Sequence, residues 1–111
     1  MAIEPIPALL EQIDELLAEP ISAGKPVTLD RLERTLTDGY AHALVLEAER
    51  WRLEQRLSEL AGELHEGNQD LKSRELVQLS RRLSSNGTAL QGLRSTLTRL
   101  RARASDVRAA V

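Results

Sequence analysis

The chain has 111 residues, with 21 Leu, 13 Ala, 13 Arg and 12 Glu, no Phe or Cys, one Trp, one Tyr and a net charge of −2. Its 41% apolar residues exclude a disordered polymer and its 29% charged residues a membrane-embedded one. The missing cysteines exclude disulfide scaffolds and thiolate metal sites, and the scarce aromatics leave no stacking platform for bases.

Leu, Ala, Glu and Arg are strong helix formers, so the composition points to an all-α protein and away from most enzymes. The first predicted helix covers residues 8–19. Pro5 and Pro7 open it and Pro20 closes it. Leu9, Leu10, Ile13, Leu16 and Leu17 form its apolar face, whereas Glu11, Asp14, Glu15 and Glu19 make its outer face acidic. Residues 20–27, with two prolines and Gly24, read as a connector. The segment Met1–Pro7 has no basic cluster, unlike a signal peptide, and no apolar run approaches the roughly 18 residues of a membrane span. A cytoplasmic location is expected.

A second helix is predicted over 28–65, with Thr28 as its N-cap and Asp30 in its first turn. It carries a heptad pattern. With Leu29 at position a, the a series is Leu29, Leu36, Ala43, Arg50, Leu57 and Leu64; the d series is Leu32, Gly39, Leu46, Leu53 and Leu60. Residues 66–70 form a turn signalled by Gly67-Asn68, where Asn68 or Asp70 caps the next helix. That third helix is predicted over 71–109, with Leu76, Leu83, Leu90, Leu97, Ala104 and Val111 at a, and Leu79, Asn86, Leu93, Leu100 and Val107 at d. Asn86-Gly87 marks a local weakness or kink, but the heptad phase runs through it and favours one continuous helix.

A short turn makes the two long helices antiparallel. The expected fold is a long antiparallel coiled-coil hairpin with the short N-terminal helix packed across its open end. Each long helix, with roughly 38 residues, extends about 57 Å. Folding the chain about Asn68 places Leu60 opposite Leu76, Leu53 opposite Leu83, and Gly39 opposite Leu97. The same register brings Arg50 and Asn86, the polar members of the two seams, face to face. A polar layer of this kind fixes register. Alternatively, Arg50 reaches sideways to Glu47 or Glu54 and leaves Asn86 alone in the layer. On the flanks, Glu33 is expected near Arg101 and Tyr40 near Arg94, with less favourable approaches of Arg56 to Arg82 and Glu63 to Glu75.

Two surfaces stand out as partner sites. Tyr40, Leu44, Ala48 and Trp51 form an apolar stripe outside the seam, for which the first helix and a second copy of the chain are the candidate covers. The C-terminal helix carries the basic cluster Arg94, Arg99, Arg101, Arg103 and Arg108. Charge is also segregated along the chain: net −9 over residues 1–70 and +7 over 71–111. Either the halves neutralise each other or the basic half binds an anionic partner.

Catalytic, metal and cofactor sites are not expected. His42 and His65 lack a glutamate three residues earlier, and there is no HExxH helix or phosphate-binding glycine loop. The excess of Arg over Lys indicates a GC-rich bacterial source, and in composition the chain is similar to small Leu/Arg/Glu-rich helical-hairpin proteins of such bacteria. The sequence thus points to a non-enzymatic protein–protein interaction module, an adaptor, scaffold subunit or small regulator. It is expected to form a homodimer or higher oligomer. The alternative is a nucleic-acid-associated factor using the Arg-rich C-terminal helix.

Overall fold

The computed structural model describes residues 6–18 and 26–110, apart from the side chains of Ile6, Pro26 and Val27. It is all-α: α1 spans Ile6–Ala18, α2 Pro26–Glu63 and α3 Gln69–Ala110. The expected connector lies outside the described residues except for Pro26 and Val27, which are already helical, and the expected seam position Val111 also lies outside. The start of α2 at Pro26 moves the N-terminus two residues ahead of Thr28, so Thr28 is within the helix and not its cap. Proline suits a first helical position because its φ is preset and no N–H is lost from the ladder. Asp30 then falls beyond the first turn and pairs with Arg34 at 3.0 Å, one turn further on.

Two compact units share these helices, one of Met1–Leu44 with Gly92–Val111 and one of Val45–Gln91. In the first unit, Glu33 pairs with Arg108 and Gly39 lies against Leu97, so α2 and α3 run antiparallel. The Gly39–Leu97 layer is the one the heptads predict. A Cβ at Gly39 would overlap Leu97 Cδ2 and lie 3.3 Å from Leu97 Cγ, which explains a glycine at a seam position. Leu32, Leu93, Leu97, Leu100 and Val107 are buried here, together with Leu9, Ile13 and Leu16 of α1.

α1 joins this unit as expected, but on the flank away from Tyr40, so of the two candidate covers of the apolar stripe it is ruled out. Thr35 and His42, at g positions of α2 in this unit, are buried, and Thr96 and Arg103, at g in α3, are half-buried. Glu15 of α1 approaches Arg31, on the same side of α2, at 4.0 Å. Tyr40, Arg94, Arg101 and Arg108, all at e positions, remain exposed. α1 therefore covers the g flank and leaves the Tyr40 flank open. Desolvation accounts for the choice. Packing an apolar face on the e flank would strip water from Glu33, Arg94, Arg101 and Arg108, whereas the g flank here presents threonines, a histidine and one arginine. The cost is an orphan: His42 Nε2 is buried without a hydrogen-bond partner.

The second unit holds the turn between α2 and α3. Leu53, Leu60 and Leu79 form its core, with Leu57, Leu76 and Leu83 packed around them. At the turn, Gly67 (φ 93°) and Asn68 (φ 52°) take the left-handed conformation that reverses the chain. The Asn68 carbonyl accepts the first bond of α3, from Lys72 N–H at 3.0 Å. Carbonyls at the end of α2 are satisfied from across the turn, Glu63 O by Lys72 Nζ at 2.7 Å and Leu64 O by Gln69 Nε2 at 3.2 Å. A cation at a helix C-terminus also offsets the negative end of the macrodipole.

The polar layer resolves in favour of an Arg50 that leaves the seam. Arg50 Nε pairs with Glu54 at 3.0 Å and the side chain stays 40% exposed. Its guanidinium passes over Gly87, where a Cβ would come within 2.9 Å of Arg50 Nη1. Gly87 is thus the slot through which a charge escapes a dry seam, and α3 remains helical through it. Asn86, 5% exposed, donates from Nδ2 to Leu46 O at 2.9 Å, while its Oδ1 has no partner. Because an orphaned buried acceptor costs about as much as a hydrogen bond contributes, Asn86→Leu should raise stability by about 1 kcal/mol. Arg50→Leu, replacing a half-exposed side chain, should change it by less than about 0.5 kcal/mol. Thermal unfolding followed by circular dichroism tests both; a destabilised Asn86→Leu would show that the single bond to Leu46 outweighs the orphan.

Flank charges correct the expected like-charge approaches. Arg56 donates to both carboxylate oxygens of Glu75, from Nε at 2.7 Å and Nη2 at 3.1 Å, and reaches Glu59 at 3.4 Å and Glu63 at 3.7 Å. Arg82 lies 4.0 Å from Glu49, not beside Arg56. A flank side chain sits between two counterparts one heptad apart, and the long arginine takes the one of opposite charge. That bidentate bond holds the Glu75 carboxyl below its ordinary titration range and raises Arg56 above its own. In the first unit, Glu33 is joined to Arg108 at 2.6 Å, one heptad beyond the expected Arg101.

Candidate interaction surfaces

The apolar stripe of α2 stays on the surface. Tyr40 and Leu44 belong to the first unit and Ala48 and Trp51 to the second, and all four are exposed. Leu44 is 66% and Trp51 63% exposed, which are large fractions for side chains of their size. Within the second unit, helical spacing brings the small Ala48 and the large Trp51 to one side of α2. Val45, 47% exposed, extends this face and escaped the heptad reading because it sits beside the stripe, not in it. α2 spends positions a and d on α3, and in the first unit its g positions, with Arg31 beside them, on α1.

On α3, the exposed large apolar residues are Leu71 and Val77. Leu71 lies two residues after the start of the helix and had no signal beyond its own polarity.

The five arginines of the basic cluster do not share one surface. Arg103 is half-buried on the α1 flank, and Arg99 occupies a c position on the outer side of α3. Arg94, Arg101 and Arg108 do share a face, since a seven-residue spacing repeats the e position every two turns, about 10.5 Å along the axis. Opposite this column on α2 stand Glu33 and Tyr40. Glu33 neutralises Arg108, but Tyr40 offers Arg101 no charge, and Arg101 makes no hydrogen bond or ion pair with a described residue. A groove of about 510 Å³ opens there, lined by Leu36, Tyr40, Arg101, Ala104 and Arg108.

Among the described residues no group of three or more His, Cys, Asp or Glu is arranged to hold a metal ion. No helix of the described residues is long and apolar enough to cross a membrane. Comparison with protein-family models, with curated proteins and with solved structures finds no match to the chain.

Proposed function

We propose that the protein is a non-enzymatic interaction module that self-associates through the outer face of α2. The observation that carries this reading is the exposure of Trp51 beside the small Ala48 and the exposed Val45, all in the second unit. Such a face can meet its own copy about a two-fold axis, each Trp51 knob seating over the partner copy's Ala48. The seam supports the same reading indirectly, because α2 and α3 consume their leucines on each other and leave this face intact for a further helix.

Light scattering of the purified chain tests it. The expected mass is about twice 12.3 kDa, insensitive to salt because the contact is apolar. Trp51→Glu should return the mass to that of a monomer with unchanged helicity, since Trp51 contributes nothing to the intramolecular core. A parent protein that stays monomeric at all accessible concentrations refutes self-association.

A further inference from the structure

The groove beside Arg101 differs from the outer face of α2 in character. Its floor is apolar, formed by the half-buried Leu36 and the buried Ala104, both seam residues seen from the side. Its walls are Tyr40 and two arginines. In this unit Glu33 and Tyr40 hold successive e positions of α2. Where Glu33 satisfies Arg108, the next e position holds Tyr40, so the guanidinium of Arg101 is left facing a partly exposed ring and not a carboxylate.

We propose that this groove docks an acidic amphipathic helix of a partner protein. One carboxylate of the partner pairs with Arg101, the tyrosine hydroxyl of Tyr40 donates to the same group, and an apolar side chain from the adjoining turn rests on Leu36 and Ala104. The proposal rests on the reading of the chain as an interaction module but not on its self-association, which uses a different face.

Charge complementarity favours a peptide over a nucleic acid. A phosphate chain needs a continuous row of cations, whereas here Arg108 is already neutralised by Glu33 at 2.6 Å, and Arg99 and Arg103 lie on other sides of α3. Asp30 and Asp38 add exposed negative charge on α2 in the same unit. A discrete carboxylate beside an apolar side chain matches what the groove offers; a polyanion does not.

The test uses the full chain and a fluorescein-labelled amphipathic helix built from Leu and Glu, with its Leu/Lys counterpart and a short DNA duplex as further probes. Fluorescence anisotropy should show saturable binding of the Leu/Glu peptide, weakening as salt is raised, and no binding of the Leu/Lys peptide. Arg101→Glu should weaken binding by about tenfold or more, whereas Arg99→Glu, the same charge change on another face of α3, should weaken it less than about twofold. Trp51→Glu should leave peptide binding intact, and Arg101→Glu should leave the oligomeric mass intact, so the two readings fail separately. Equal effects of Arg99→Glu and Arg101→Glu, absence of peptide binding at low salt, or displacement of the peptide by the duplex would each overturn the proposal.

Discussion

Gly39→Leu is expected to lower stability by about 3 kcal/mol, among the largest effects of any single substitution in the chain. A Cβ at this position already overlaps Leu97 Cδ2, and a leucine adds three more carbons in the same direction. Leu97 cannot swing aside into water, because it is 2% exposed and closed in by its own layer. Gly39→Ala is a finer probe. Alanine gains about 1 kcal/mol of helix propensity over glycine, and overpacking costs about 1–3 kcal/mol, so a net loss near 1 kcal/mol is expected. The diagnostic is rescue. Adding Leu97→Ala to Gly39→Leu exchanges the large and small members of one layer and should recover most of the loss. Urea unfolding followed by circular dichroism measures all of these variants. A Gly39→Leu protein as stable as its parent would mean that the two helices do not approach closely at this layer.

Leu60→Ala should cost about 3 kcal/mol for a different reason. In the unit of Val45–Gln91 the core cluster consists of Leu53, Leu60 and Leu79, with three further leucines around it. Leu60 has no exposed surface, and so thin a core has little material with which to collapse into the cavity its loss would leave. Leu57, a half-buried member of the same cluster, can be refilled by water at its rim, and Leu57→Ala should cost less than half as much. Native-state amide exchange adds a second readout. Protection should fall chiefly in residues flanking the turn for Leu60→Ala, since their bonds depend on this cluster. Equal losses for the two leucines would contradict the burial difference.

The heptads carried most of this architecture because they report on the one contact that is periodic. Every described a and d residue of α2 and α3 is buried or half-buried, and the Gly39–Leu97 layer lies where folding about Asn68 puts it. Gly67-Asn68 was legible as a turn because left-handed backbone is cheap for few other residues. What escaped the sequence was aperiodic. The flank that α1 covers is selected by which side loses less hydration, and Thr35 and His42 give no apolar signal of their role. The route of Arg50 depends on a glycine in the other helix, two features that no single-helix pattern joins. Partner choice along the flanks depends on side-chain reach, so Arg56 reached Glu75 across a register that placed Arg82 beside it. Among the candidate surfaces, the α2 stripe was readable as apolar residues outside the seam. The groove at Arg101 was not, since it arises from an omission, a tyrosine and not a carboxylate at the e position after Glu33.

The placement of the two aromatic residues has a spectroscopic consequence. With Trp51 63% exposed and Tyr40 44% exposed, the indole and the phenol both emit from a largely aqueous setting while the chain is folded. In the unassociated chain denaturation therefore moves neither chromophore from an oily environment into water, and its intrinsic fluorescence will be nearly silent to unfolding. The same silence makes the indole a clean optical reporter of assembly. A blue shift of its emission on concentrating the protein would record another molecule closing over it, unconfounded by rearrangement of the leucine interior.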